Sequence, residues 1–129
     1  MTKEERKVGL DKDKFYPCPE KHVCVSTHAN ENDIRHYIEP IKYNISFEKA
    51  KSKIKEIVNS LKRTQLLEDN GNYLRFQFTT GLLRFKDDVE FLFDDTEKKI
   101  HFKSQSRIGG YDWGTNRNRM EKIRKLFIK

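Results

Sequence analysis

The sequence predicts a two-layer α+β domain, in which an antiparallel sheet of about four strands carries two helices on one face. The prediction rests on an apolar stripe at helical spacing after Ser46, alternating apolar and polar residues between Tyr73 and Phe102, and a second amphipathic segment at the end of the chain. Strands and helices occupy separate parts of the chain, an arrangement typical of α+β folds.

The first helix is predicted to begin after Ser46, whose hydroxyl can accept a hydrogen bond from a free amide of the first turn. An apolar stripe follows, with lysines on the opposite face. Its members are Phe47, Ala50, Ile54, Ile57, Val58 and Leu61. Residues 41–45 alternate between apolar and polar side chains, which indicates a short strand before the helix.

The sheet is predicted from residues 64–68 and from three alternating segments at 73–79, 89–93 and 100–102. Asn70-Gly71 indicates a tight hairpin turn, because the central residues of the favoured turn need a positive φ. Residues 94–97 supply the next turn. The alternation predicts one face covered by both helices and a second face open to solvent. The covered face carries Leu74, Phe76, Phe91 and Phe102.

Gly109, Gly110 and Gly114 mark a loop before the last helix, in which Met120, Ile123 and Phe127 form the apolar stripe. Thr115 or Asn116 is the expected cap of that helix. We predict a flexible segment over residues 1–15 and a single domain over 16–129, in which residues up to about 37 form an irregular arm lying over the core.

The net charge of +7 raises the alternative of a weak nucleic-acid binder, because lysine and arginine neutralise phosphates. The basic residues that crowd the last helix are Arg117, Arg119, Lys122, Arg124 and Lys125. Acidic residues are interspersed elsewhere, and the strand phenylalanines alternate into the core instead of forming a stacking platform. No apolar stretch is long enough to cross a bilayer and no secretory signal is evident, so we expect a cytoplasmic protein.

Cys18 and Cys24 are expected to be thiols in a reducing cytosol, or to close a small local disulfide loop if the protein is exported. Together with His28 they have the composition of a zinc site. Their spacing matches none of the usual ligand pairs, so zinc ranks below both thiols and a disulfide. No cofactor is expected.

Asp87, Asp88 and Glu90 place three carboxylates at the start of a strand, with Asp88 and Glu90 on the face opposite Val89. Carboxylates grouped in this way can do acid–base work or hold a hard cation, which makes a hydrolase-like or metal-dependent enzyme one alternative. Pairing of these carboxylates with arginines is the competing structural explanation.

The segment from Ser104 to Arg119 combines hydroxyls, glycines, an aspartate and arginines before and within the opening of a helix. Amides at a helix N-terminus attract anions, and arginine grips phosphate or carboxylate through two bonds. The segment is therefore a candidate site for an anion or a polar ligand, unless its glycines only permit turns and Asp112 only holds the arginines. The candidate residues are Ser104, Ser106, Arg107, Asp112, Asn116, Arg117 and Arg119.

These blocks, together with Cys18-Pro19, Cys24-Val25-Ser26 and residues 36–40 (HYIEP), resemble the domain of unknown function 1499 over roughly residues 16–128. The resemblance brings no accepted activity. It implies relatives in bacteria and plant plastids, many of them exported or anchored to membranes, in which the cysteines would more readily form a disulfide. The same positions recur in it without showing whether they form a site or a structural network. We predict that the acidic strand start is bonded to the arginine-rich segment.

The leading functional hypothesis is a non-catalytic binding or accessory domain that uses the segment 104–119 to recognise a small polar or anionic ligand or a protein partner. The enzyme that uses Asp87, Asp88 or Glu90 and the nucleic-acid binder are its alternatives.

Overall fold

A computed structural model describes residues 6–129 and shows an α+β fold with two helices on one face of an antiparallel sheet. The strands are β1 (Leu10–Asp11), β2 (Lys14–Phe15), β3 (Cys24–Ser26), β4 (Ile41–Lys42), β5 (Thr64–Asn70), β6 (Tyr73–Thr79), β7 (Lys86–Asp94) and β8 (Lys99–Ser106). The helices are α1 (Phe47–Ser60) and α2 (Thr115–Ile128).

The main sheet has six strands, two more than the sequence predicted. Its order is β3-β8-β7-β6-β5, and β4 pairs with the other end of β8. One extra strand, β3, comes from the segment predicted to be irregular and runs antiparallel to β8 with Val25 opposite Ser104. The other, β4, lies within the short strand predicted at 41–45. β1 and β2, also from the irregular segment, form a separate hairpin. Residues 1–5 of the predicted flexible segment lie outside the described residues.

The first helix follows its prediction closely. The Ser46 hydroxyl oxygen accepts a hydrogen bond from the amide of Lys49 at 3.2 Å. Ala50, Ile54 and Val58 are completely buried against the sheet, as the apolar stripe requires. The helix therefore packs along the face that carries Phe76 and Phe91.

The second helix begins differently from its prediction. Gly114 precedes it in a left-handed conformation with φ +79°, and neither Thr115 nor Asn116 acts as the cap. The Asp112 carboxylate instead accepts hydrogen bonds from the amides of Gly114 at 2.9 Å and Asn116 at 3.3 Å. An acidic side chain suits this position because the amides of the first turn are unpaired and carry partial positive charge.

The hairpin at residue 71 is present, but its turn is shifted by one residue. Asn70 pairs with Tyr73, so Gly71 and Asn72 are the central residues, and Gly71 has φ +64°. The positive φ therefore falls on glycine, which adopts it without steric cost.

The prediction that the second face of the sheet is open to solvent is wrong where the N-terminal segment crosses β7 and β8. Glu90 and Lys103 on this face are 1% and 0% exposed, because the segment preceding β3 lies across them. Phe15 of this segment packs with Tyr73 and Leu92 in a small apolar cluster separate from the main core. The arm is thus a second covering layer, and the polar residues beneath it are interior residues.

Candidate functional site

Strand alternation separates the three predicted carboxylates into two groups. Asp87 lies on the helix-covered face with Val89, whereas Asp88 and Glu90 point to the opposite face, as predicted. Both groups meet arginines from the segment 104–119, which confirms the predicted bonding between the two blocks.

On the helix-covered face, Asp87 and Arg119 form a buried ion pair with 2.6 Å between Oδ2 and Nη2. The other terminal nitrogen of Arg119 donates to the Ser104 hydroxyl at 3.0 Å and to the Asn116 side-chain oxygen at 2.9 Å. The guanidinium also lies over the ring of Phe78, 4.8 Å from its centre. Arg119 is therefore fully engaged by the protein itself.

Asn116, completely buried, is the centre of this network. Its amide nitrogen contacts Asp112 Oδ2 at 2.7 Å, Ser106 Oγ at 3.0 Å and the Val23 carbonyl at 3.1 Å. Its oxygen accepts from the Ser104 hydroxyl at 2.7 Å. One side chain of α2 thus joins β8 and the residue that precedes β3, and its buried polar atoms are paired, as stability requires.

Burial is the main influence on the pKa of Asp87 and raises it above the usual value for aspartate. The charge and hydrogen bonds of Arg119 act in the opposite direction, as does the hydrogen bond from Ser106. The carboxylate therefore depends on these partners to remain ionised in a place from which water is excluded.

On the opposite face, Arg107 grips Asp88 through two bonds, Nε to Oδ2 at 2.9 Å and Nη2 to Oδ1 at 3.0 Å. Arg75 adds a longer contact at 3.3 Å to the same carboxylate. The hydrogen bond to Asp88 raises the pKa of Arg107 above its already high value. This planar arrangement is the one arginine would use for a bound anion, and Asp88 already occupies it.

Glu90 lies deeper beneath the arm. One carboxylate oxygen accepts from the Tyr73 hydroxyl at 2.6 Å and the Gly9 amide at 2.7 Å, and the other has no hydrogen-bond partner among residues 6–129. Burial raises the pKa of Glu90 and lowers that of Lys103, which donates to the Tyr16 carbonyl at 2.7 Å. These charges tie the arm to the sheet.

Arg117 does not join either network. Its guanidinium donates to the backbone carbonyls of Ile34 and Arg35 at 3.4 and 3.3 Å. It therefore links the start of α2 to the loop after β3, and the other predicted residues of the segment divide between the two faces of the sheet.

A groove of about 320 Å³ opens beside the helix-face network, at the end of the sheet where β6 and β8 stop. Asp87, Ser106, Asp112 and Thr115 line its polar part. Its walls come from two loops, residues 80–85 and 107–114, and consist of large apolar side chains that are mostly exposed. These are Leu82, Leu83, Phe85, Ile108, Tyr111 and Trp113.

The sequence reasoning missed these apolar residues, although a signal was present. Residues 81–85 read Gly-Leu-Leu-Arg-Phe between two strands, where a connection is ordinarily polar. Trp113, 84% exposed, also adopts φ +56°, a conformation that bulky residues seldom adopt. An apolar loop and an outward-facing tryptophan at one end of a sheet together indicate a surface that meets something else.

Cys18, Cys24 and His28, which have the composition of a zinc site, do not form one in this structure. The two sulfurs are bonded to each other at 2.06 Å, so the expectation of free thiols is also wrong for this structure. His28 Nδ1 accepts a hydrogen bond from the Phe15 amide at 3.2 Å, and burial together with nearby His101 lowers its pKa to about 4. Within residues 6–129, no cluster of three or more His, Cys, Asp or Glu side chains is arranged to bind a metal.

Across the described part of the chain, neither helix has the length and apolar content needed to cross a membrane. The family model described as Protein of unknown function (DUF1499) matches residues 14–127, nearly the whole chain, and confirms the resemblance noted in the sequence. No curated protein sequence matches the chain.

Proposed function

Because the chain belongs to the DUF1499 family, whose description carries no activity, we propose from its own geometry that it is a non-catalytic binding domain for a small amphipathic molecule. The groove between residues 80–85 and 107–114 is the proposed site. The observation that carries the proposal is the combination of large apolar walls with a few polar groups, at a volume in the range of small-molecule sites.

The polar groups of the groove favour a ligand that donates hydrogen bonds, neutral or cationic, over an anionic one. The lining includes the carboxylates of Asp87 and Asp112 and no lysine or arginine. The arginines expected to grip an anion are held elsewhere, Arg107 by Asp88 and Arg119 by Asp87. Asp112 accepts only from amide groups in the described contacts, so its charge has no arginine or lysine partner there.

The enzyme alternative has less support. Asp87 and Asp88 are each bonded to an arginine, and Glu90 lies beneath the arm and does not line the groove. A general acid or base must reach the substrate proton, which these contacts hinder. The nucleic-acid alternative is weakened because the three arginines of α2 are bonded to the domain itself: Arg119 to Asp87, and Arg117 and Arg124 to backbone carbonyls.

The disulfide bears on where the protein works. Cys18 and Cys24 form a short loop, and such bonds persist in oxidising compartments but are rare in a reducing cytosol. We therefore propose an oxidising compartment in place of the expected cytoplasmic location.

The test uses Trp113, the single tryptophan of the chain, whose fluorescence reports directly on the groove. Titration with 2-phenylethylamine, 2-phenylethanol and 3-phenylpropionate compares a cationic, a neutral and an anionic ligand of similar size. We expect saturable changes in Trp113 emission in the order amine, alcohol, carboxylate. Thr115→Val and Asp112→Asn should weaken the amine, whereas Leu66→Ala, on the exposed surface of β5, should not.

Melting curves of each variant separate a lost site from a lost fold. If no probe produces a saturable change, or if the carboxylate binds as tightly as the amine, the proposed recognition by Asp87 and Asp112 is wrong.

A further inference from the structure

The rim of the groove carries more exposed apolar surface than a small ligand would cover. Leu82 is 93% exposed, Trp113 84%, Leu83 66% and Ile108 61%. They belong to two loops, and both loops lie at the same end of the sheet. Single exposed apolar residues are normal on protein surfaces, but a contiguous group at loop tips marks an interaction surface.

The same end of the sheet is basic. Residues 61–64, 79–86 and 107–111 contain lysines and arginines and no aspartate or glutamate. The exposed cations in these segments are Lys62, Arg63, Arg84 and Lys86. Arg63 is held at the base of the first loop, where its Nε donates to the Thr79 carbonyl at 3.1 Å. The apolar tips are therefore flanked by exposed positive charge, whereas the carboxylates at this end, Asp87 and Asp112, line the groove.

We propose that this end of the domain docks on an anionic lipid bilayer, with Leu82, Leu83 and Trp113 entering the interfacial layer and the lysines and arginines meeting lipid phosphates. Apolar and indole side chains partition to that depth of a membrane, and basic residues near an anionic leaflet add attraction. The proposal concerns the outer rim, so it goes beyond the proposed ligand site and does not depend on the groove being filled.

The shape of the surface favours a bilayer over a protein partner. Leu82 and Trp113 project furthest from the loop tips, at 93% and 84% exposed, although the ring of Trp113 contacts that of Tyr111. A protein interface concentrates its binding energy in anchors that fill a matching pocket, whereas a fluid bilayer accepts projecting side chains without one.

The experiment measures co-sedimentation of the whole protein with two kinds of vesicle. One contains phosphatidylcholine alone, and the other contains in addition about 30 mol% phosphatidylglycerol, which supplies the anionic surface. We expect binding to the anionic vesicles, a blue shift of Trp113 emission on binding, and loss of binding at high salt. Arg84→Gln with Lys86→Gln should weaken binding by roughly fivefold for each charge removed.

The matched control is a second pair of adjacent leucines. Leu82→Ser with Leu83→Ser should lower the partition coefficient by at least about tenfold, because two exposed leucines lose their apolar transfer energy. The same change at Leu66 and Leu67, each 37% exposed on β5, should leave it unchanged.

Failure of this inference is separable from failure of the ligand proposal. Asp112→Asn should weaken the response to 2-phenylethylamine and keep vesicle binding, because Asp112 lies in the groove and not on the rim. The inference is overturned if the wild-type protein does not bind anionic vesicles, or if both leucine-pair variants bind them equally well. Capture of a protein partner by the Leu82–Leu83 loop in the absence of vesicle binding would also overturn it.

Discussion

Replacing Arg119 with alanine tests whether the helix-face network stabilises the fold. The change removes the cation that lies 2.6 Å from Asp87, a residue that is 1% exposed. It also removes donors to Ser104 and Asn116 and the contact with the Phe78 ring. Asp87 is then left buried with its charge uncompensated, and burial already raises its pKa.

Breaking a buried pair by removing one partner costs about 3 to 5 kcal/mol, because the remaining charge stays desolvated. For a chain of this length a loss of 1 kcal/mol lowers the melting temperature by about 3 to 5 °C. We therefore expect Arg119→Ala to melt about 10 to 20 °C below the wild type. Glu97→Gln is the control, since its pair with Lys99 is solvent-exposed and should contribute less than about 1 kcal/mol.

A double-mutant cycle isolates the ion pair from the other contacts. Asp87→Asn with Arg119→Met removes both charges, so it should be less destabilised than the sum of the single changes by about 2 kcal/mol or more. Urea denaturation followed by circular dichroism at pH 7 gives the four free energies of unfolding of the cycle, for the wild type, Asp87→Asn, Arg119→Met and the double variant.

Two results would refute the reasoning. Additivity of the two single changes within about 0.5 kcal/mol would mean that the charges do not interact. A loss below about 1 kcal/mol for Arg119→Ala would mean that Asp87 is hydrated when its partner is absent.

Reduction of the disulfide should lower the free energy of unfolding by about 2 kcal/mol, because the bond closes a short loop in the unfolded chain across a separation of six residues. A variant with both Cys18→Ser and Cys24→Ser is the control, and reductant should not change its stability. The unfolded chain protonates His28 near pH 6.5, but the folded protein does so only near pH 4. The shift corresponds to about 3 kcal/mol, which partial exposure of the ring reduces to about 2 kcal/mol of stability lost as the pH drops across that interval. His28→Asn, compared by urea unfolding at pH 7 and 4, should show a smaller fall. Asp88→Asn should lower the free energy of unfolding by only about 1 to 2 kcal/mol in the same assay, because the side chain of its partner Arg107 is 36% exposed and can be hydrated. A loss as large as that of Arg119→Ala would contradict this expectation.

Periodic patterns explain which parts of the fold were predictable. The stripe from Ala50 to Val58 and the alternation from Tyr73 to Phe78 each extend over several residues, so both elements and their buried faces follow from the sequence. The strands β1 to β3 span two or three residues each, too short to show any period. β1 and β2 pair with each other as a short hairpin, whereas β3 pairs with the distant β8, where Ser104 lies opposite Val25, and no local pattern encodes such a pairing.

The contact between the acidic strand start and the arginine-rich segment was predictable, but the apolar walls of the groove and the directions of the polar side chains were not. Opposite charges at Asp87 and Arg119 correctly indicated that two distant blocks meet. Strand alternation could not show that an arm would bury Glu90, because a polar face is ordinarily a solvated one. Arg107 and Arg119 are already bonded to Asp88 and Asp87, so they are not available to grip an anion. These pairings depend on side-chain directions, which the composition of the segment does not specify.

The Val23 carbonyl, which accepts from the Ser106 amide and from Asn116, implies an order of events during synthesis. Asn116 is 93 residues further along the chain and Ser106 is 83, so these two partners of Val23 are missing until almost the whole protein has left the ribosome. Contacts of such long range form late and slow folding. The cysteines, only six positions apart, need no such wait. Their bond can close in the nascent chain, so that the segment reaches β8 with one bend already set and fewer conformations left to search.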